Sequence, residues 1–257
     1  MSNKDNWLPM PRFLLRFNAL KHILKNKQIA NTKSLEIGFG SGEILKYMAK
    51  EGADVTGYDF SRQAIEMATE RISQTKYVKN ISITNDESVL IKGHYDFVFA
   101  FEVLEHIEAD EQALNQWLGY LKPGGSLIIS VPAHMSKWCK NDVWAGHIRR
   151  YEKQQLISMC EGKNLTIKQL WNYGYPLTIA LDKLLDMSKK NIQLQSNNST
   201  QEKIKLTKNS GVDRDNKLIY RMISNDWVLY PFYLLQRLFF NRDMGSGYIL
   251  HVVVNEK

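Results

Sequence analysis

The hydropathy pattern is most informative between Leu35 and Glu43, read Leu-Glu-Ile-Gly-Phe-Gly-Ser-Gly-Glu. Apolar Leu35 and Ile37 run into three alternate glycines and then into helically spaced apolar positions at Ile44, Leu45, Met48 and Ala49. A period that switches from 2 to 3.6 across glycines predicts strand, tight turn and helix. Gly38, Gly40 and Gly42 accept positive φ and let a ligand lie against the backbone. The helix that follows points its free N–H groups and positive dipole end at that ligand.

The same alternation continues along the chain. It predicts a helix to Glu51, a strand from Ala53 to Tyr58, a helix from Ser61 (the N-cap) through Arg71 and a strand from Ile81 to Thr84. Tyr95–Phe101 is dense in β-branched and aromatic residues, as suits a central strand buried on both faces. A helix from Asp110 to Tyr120 is broken by Pro123-Gly124-Gly125, and a strand at Ser126–Val131 follows. A helix at Glu152–Cys160 and strands at Leu165–Trp171 and Tyr248–Val254 complete an α/β alternation.

Three stretches fall outside it. Before the first strand, Arg12 to Leu24 shows helical spacing after Pro9 and Pro11, as an amphipathic helix over the entrance would. From Lys189 to Asn216 the chain is polar and rich in Asn, Gln, Ser and Lys, as a mobile insertion or lid would be. Trp227–Phe240 is aromatic and apolar; it lines an acceptor pocket, forms a dimer face or lies at a membrane interface, with core packing the default.

Candidate chemistry gathers at the strand ends. Asp59 ends the second strand, where nucleotide-binding α/β folds place an acid against ribose hydroxyls. Gly42 sits one place earlier than the dinucleotide fingerprint requires, which argues for a ligand without a pyrophosphate. Phe101, Glu102, Glu105 and His106 follow the central strand. His106 suits proton abstraction near neutral pH, or it is a hydrogen-bonded structural group. Past Pro132, the residues His134, His147, Arg149, Arg150 and Tyr151 form a set able to hold an acidic or hydroxylated acceptor; the alternative is an ordinary helix start with surface arginines.

Composition narrows the picture. A chain of 257 residues with 44% hydrophobic content supports one sizeable core. Cys139 and Cys160 lack metal-ligand spacing, which argues against a zinc site or disulfide framework, and no metal is expected. No leader-like apolar run follows Met1, and no stretch reaches the roughly 18 apolar residues of a membrane span. The expected location is cytoplasmic, soluble or peripheral at a membrane. The net charge of +7 invites nucleic acid or an anionic membrane, but the cations are scattered without the aromatic-plus-basic pattern of an RNA module.

Taken together, Leu35–Gly42, Val55–Ser61, Thr84–Glu87, Phe97–Ile107 and Leu121–Pro132 resemble the class I S-adenosylmethionine-dependent methyltransferases. Glu102–Ile107 and Leu121–Gly125 are most similar to the branch that includes quinone-biosynthesis O-methyltransferases. The resemblance implies a doubly wound, mostly parallel seven-stranded Rossmann-like sheet with a C-terminal insertion. It implies S-adenosyl-L-methionine as cofactor, held by Glu36, Gly38, Gly40, Gly42, Asp59, Phe60, Asp86, Glu87, Phe101 and Glu102. Asp86 is expected near the adenine amino group, or as an Asx turn, and Arg12 or Arg16 near the methionine carboxylate, or facing solvent. His106 and His147 are the candidate catalytic residues, and His134, Arg149, Arg150 and Tyr151 the candidate acceptor-binding ones.

The implied organisation is a helical cap over residues 1–30, a cofactor-binding core over 31–171, an insertion over 172–246 and a closing strand over 247–257. The expected reaction is methyl transfer to oxygen of a small, lipid-linked or aromatic acceptor, by a monomer or homodimer. The alternatives are an RNA or protein methyltransferase, and a noncatalytic or membrane-associated scaffold. No Asn-Pro-Pro-Tyr motif follows Phe101, where Glu102-Val103-Leu104 stands instead, which makes nucleic acid the weaker substrate expectation.

Overall fold

Strands rich in Val, Ile, Leu and Phe bury both faces only when helices cover both, and the chain follows that rule. The computed structural model describes residues 8–188 and 225–256. Strands β1 (Lys33–Ile37), β2 (Asp54–Tyr58), β3 (Ile81–Thr84), β4 (Tyr95–Phe101), β5 (Leu121–Pro132), β6 (Leu165–Tyr173) and β7 (Gly247–Val254) form one sheet in the order β3-β2-β1-β4-β5-β7-β6. The first five are parallel, and β7 runs antiparallel to both its neighbours.

The described helices are α1 (Pro11–Leu24), α2 (Glu43–Lys50), α3 (Arg62–Ser73), α4 (Asp110–Gly119), α5 (Lys140–Ala145), α6 (Lys153–Ser158), α7 (Leu177–Ser188) and α8 (Asp226–Phe239). Side chains alternate across β4. Phe97, Phe99 and Phe101 face a core formed with Leu15, Leu45, Met48 and Leu229, while Val98 and Ala100 face a second core with Leu114, Trp117, Ile129 and Leu156.

Two boundaries depart from the sequence pattern. Strand β5 begins at Leu121, so Pro123-Gly124-Gly125 lies within it; a register shift between Tyr95 and Phe97 and a positive φ of 77° at Gly124 absorb the irregularity. Strand β6 runs on to Tyr173, beyond the expected end at Trp171, because the long β7 pairs with it as far as Gly247. The predicted lid over 189–216 lies outside the described residues.

The expected N-terminal cap has a partner. The buried Gln236 of α8 donates to the Leu15 carbonyl of α1 (3.1 Å) and accepts from the Gly174 amide (3.2 Å), tying α8, α1 and the end of β6 together. The aromatic stretch is therefore a helix with one face in the core, through Leu229 and Tyr233.

Candidate functional site

The strand order reverses between β1 and β4, and ligands of open α/β sheets bind outside the carboxyl ends of the strands at that point. The glycine turn lies there. Gly38, Gly40 and Gly42 take φ of 70°, 51° and 74°. A Cβ on Gly38 would meet Val103 Cγ2 at 2.5 Å, so this glycine is required by packing. A Cβ on Gly40 would meet nothing within 4 Å: its open side is space a ligand can take. The Gly40 N–H donates to Asp59 Oδ2 (3.1 Å) and the Ser61 N–H to Oδ1 (2.9 Å), which orients the carboxylate beside the turn. Burial raises the Asp59 pKa, and these two amides oppose that rise.

Glu36, on β1, is buried, with Oε2 lacking any hydrogen-bond partner. Burial pushes its carboxyl well above the usual range. Phe60 stands 47% exposed beyond Asp59, beside the glycine turn. The orphaned Glu36 oxygen, the open face of Gly40 and the oriented Asp59 fit a ligand with hydroxyl and amino donors. Asp86 is exposed and accepts from the Ser88 N–H (2.9 Å) and hydroxyl (2.6 Å), the Asx turn that the sequence leaves open. Glu87 accepts from the Tyr120 hydroxyl (3.1 Å) and from Gln116.

Glu102, at the end of β4, holds the left-handed φ of 55°. Its Oε1 receives the Ser130 hydroxyl (2.8 Å) and the Tyr173 hydroxyl (3.1 Å), with Arg16 Nη1 at 3.3 Å. Burial raises its pKa, but Arg16 and Arg12 outweigh burial and leave it below the usual carboxylate value. Phe101 is buried beneath Arg16, whose guanidinium carbon is 5.6 Å from the ring centroid. Of the two expected arginines, Arg16 reaches this end of the sheet, while Arg12 bonds Asp182 of α7 at 2.5 Å.

The two candidate catalytic histidines adjoin, with ring centroids 4.9 Å apart, yet they differ. His106 lies with Nδ1 3.2 Å from the Gly146 carbonyl, and burial lowers its pKa to about 3. Of the two readings the sequence leaves open for His106, the carbonyl contact and the lowered basicity favour the hydrogen-bonded structural one. His147 Nδ1 lies 2.8 Å from Asp142 Oδ1, so Nδ1 carries the hydrogen bonded to that carboxylate and Nε2 is the ring's outer nitrogen. Nε2 is 3.7 Å from Glu105 Oε1. Glu105 is fully buried, neither of its oxygens has a hydrogen-bond partner, and burial followed by the Glu102 charge pushes its pKa well up.

Asp142 is absent from the sequence-derived set. Gly146, at φ 77°, ends α5 in the left-handed conformation and turns the chain so that the His147 N–H donates to the Asp142 carbonyl (2.9 Å). The legible signal is a glycine before the histidine at the end of a short helix that carries an acid. Among the described residues Glu105, His106 and His147 also bring one ligand atom each within 4.8 Å of one another, a spacing a metal ion can bridge. The expectation of no metal site rested on cysteine spacing, which overlooks a group assembled from two loops.

The expected acceptor-binding set is corrected in most of its members. Arg150 is 1% exposed and clamps Asp142 through Nε–Oδ1 (2.9 Å) and Nη2–Oδ2 (2.7 Å), with Nη1 donating to the Ala133 carbonyl (3.1 Å). Tyr151 is buried and donates to Asp110 Oδ2 (2.8 Å). Arg149 donates to Asp110 (2.5 Å) and to the Glu108 carbonyl (2.9 Å). His134, at φ 63°, sits between Glu152 (3.1 Å) and Asp243 (3.3 Å). An exposed-arginine pattern is indistinguishable in sequence from a buried brace, and the carboxylates Asp142 and Asp110 make it a brace.

Residues 10–175 match the family profile described as a methyltransferase domain. The ubiquinone biosynthesis O-methyltransferase of Coxiella burnetii (strain Dugway 5J108-111) is 29% identical over 133 residues, 49% of this chain and 56% of that protein. The protein of the same name from Escherichia coli O9:H4 (strain HS) is 32% identical over 123 residues, 46% of this chain and 50% of that one. The chain thus spans about half the length of the curated relatives it matches. Two solved structures share the fold. An S-adenosylmethionine-dependent methyltransferase from Mesorhizobium loti has TM-score 0.56 and 12% identity, covering 98% of this chain and 100% of that one. Phosphoethanolamine N-methyltransferase 2 from Haemonchus contortus, in complex with S-adenosyl-L-methionine, has TM-score 0.54 and 16% identity, covering 94% and 53%.

Proposed function

Because the chain belongs to the methyltransferase-domain family, we propose that it transfers a methyl group from S-adenosyl-L-methionine to oxygen of a small hydroxylated acceptor, aromatic or lipid-linked. The observation that carries the oxygen assignment is the Asp142–His147 pair: an oxygen acceptor must lose a proton, and here an imidazole whose Nδ1 is held by a carboxylate offers Nε2 for that task. The relatives named ubiquinone biosynthesis O-methyltransferase support the same acceptor class.

The glycine turn, Asp59 and Glu36 would hold the cofactor. When bound, it supplies a sulfonium methyl already activated for displacement. The protein's own part is then to align the acceptor and receive its proton. His147 takes that proton at Nε2, and Asp142, itself held by Arg150, stabilises the resulting imidazolium. Arg16 and Glu102 supply a charged pair at the end of β4 against which polar ligand groups orient.

The test is S-adenosylhomocysteine release with hydroxylated phenols and prenylated phenols, set against RNA. Turnover of phenols supports the assignment; turnover of RNA alone rejects it.

A further inference from the structure

Helix α8 is apolar on two opposite sides. Leu229, Tyr233 and Gln236 face inward, while Trp227, Tyr230, Leu234 and Leu238 form a stripe at i, i+3, i+7 and i+11 that is 89%, 57%, 46% and 76% exposed. Single exposed apolar residues are ordinary, but a continuous row of four on one helix face marks a surface that meets something else.

Charge identifies the occupant. Between Asp226, which accepts from the Tyr233 hydroxyl (2.7 Å), and Asp243, which accepts from the Tyr248 hydroxyl, residues 227–242 hold no acid and carry Arg237 and Arg242. Helix α1, packed beside α8, lies in an equally acid-free stretch: residues 6–35 hold Arg12, Arg16, Lys21, Lys25, Lys27 and Lys33 and no Asp or Glu. The two stretches hold eight cations and no anion, whereas the whole chain has a net charge of +7, so the rest of the chain is close to neutral. The helices meet where Arg237 Nη2 lies 3.5 Å from Asn18 Oδ1 and the His22 and Phe240 rings stand 6.2 Å apart. Arg12 and Arg16 are spent on Asp182 and Glu102, but none of the ion pairs among the described residues involves Lys25, Arg237 or Arg242.

We propose that the α1–α8 cap docks on an anionic lipid surface, with Trp227, Tyr230, Leu234 and Leu238 entering the headgroup boundary and Lys25, Arg237 and Arg242 facing lipid phosphates. Trp and Tyr favour that boundary because their rings are apolar at one end and hydrogen-bonding at the other. Basic residues beside an interfacial helix add attraction to anionic headgroups. Among the described residues no helix is long and apolar enough to cross a membrane, so the contact is one of lying on the surface. The same cap carries Arg16 to the end of β4, so docking would bring the element that covers the site close to the bilayer. Docking itself does not depend on the acceptor assignment.

The experiment is co-flotation of the full chain with phosphatidylcholine vesicles, with and without phosphatidylglycerol, across a salt series. Wild type is expected to float with phosphatidylglycerol-containing vesicles, less so as salt rises, and weakly with phosphatidylcholine alone. The double substitution Leu234→Glu, Leu238→Glu should lower partitioning roughly tenfold or more, since each leucine contributes by burial in lipid. Both positions are exposed, and unchanged S-adenosylhomocysteine binding checks the fold. A second variant, Lys25→Glu with Arg237→Glu, should reduce the salt dependence while leaving the stripe intact. No flotation by wild type, or flotation unchanged in both variants, overturns the proposal. So does a dimer in sedimentation that the leucine substitutions dissociate, because the stripe then belongs to a second copy of the chain.

Discussion

Asp142 holds His147 and Arg150 at once: one oxygen accepts from the imidazole Nδ1 at 2.8 Å and both meet the guanidinium, with Asp142 and Arg150 fully buried. Each charge removed from this cluster strands another. Asp142→Ala leaves the Arg150 cation buried without its partner and should cost about 3–5 kcal/mol of stability, the usual penalty for breaking a buried pair on one side. Urea unfolding of the variant beside wild type measures it, and a loss below about 1 kcal/mol would contradict the clamp.

His147→Ala separates stability from chemistry. Asp142 keeps Arg150 in that variant, so the fold should persist, while turnover of an oxygen acceptor drops by about 10²–10⁴. S-adenosylhomocysteine affinity should stay at the wild-type value, because no cofactor contact is removed. Turnover within a factor of two of wild type would reassign the base.

Asp59→Ala removes an oriented acceptor next to the glycine turn. Cofactor affinity should weaken by about 1–3 kcal/mol, the worth of a charged hydrogen bond. Calorimetric titration with S-adenosylhomocysteine reads it directly, and equal affinities would place the ribose elsewhere.

The glycines of the turn should divide into two kinds. Gly40→Val puts a β-branched side chain at φ 51°, into space that is otherwise open, so binding is lost while much of the fold survives. Gly38→Ala drives a methyl to within 2.5 Å of Val103 Cγ2 at φ 70°, so it is stability that falls. Thermal unfolding and ligand titration on both variants distinguish them; the same defect in both would mean the turn is structural throughout.

A pH effect follows from His251, buried on β7 between Gln169 and the Ser126 hydroxyl (3.2 Å). Burial, then Lys27 and Lys168, lowers its pKa to about 3. The native state therefore keeps it neutral while the unfolded chain protonates near pH 6.5. Stability from this group is complete above that value and is lost as pH falls toward 3, by up to about 3 kcal/mol at pH 4. Replacing it by Gln should flatten the fall in urea midpoint between pH 7 and pH 4; an equally steep fall in the variant would put the effect on other groups.

Much of this arrangement was legible before any coordinates. The strand-to-glycine-to-helix switch at Leu35–Leu45, the buried run Tyr95–Phe101 and the acid at Asp59 are local signals, because periodicity and turn chemistry are set by residues close in sequence. What escaped depends on contacts between distant segments. Arg150 and Tyr151 read as acceptor-binding groups until Asp142 and Asp110 are brought to them, and Asp142 reads as nothing until Gly146 folds His147 back onto it. The helix over Trp227–Phe239 was visible as an apolar segment, but that it is covered on one side only is a property of its packing against α1.

Strand β7, formed from residues 247–254, lies between β5 and β6. In a chain made from its N-terminus, β6 thus waits without a hydrogen-bonding neighbour until β7 emerges. A deletion of this strand alone would not trim an edge. It would open two unsatisfied strand borders in the middle of the sheet, so a chain lacking it should be cleared or aggregate.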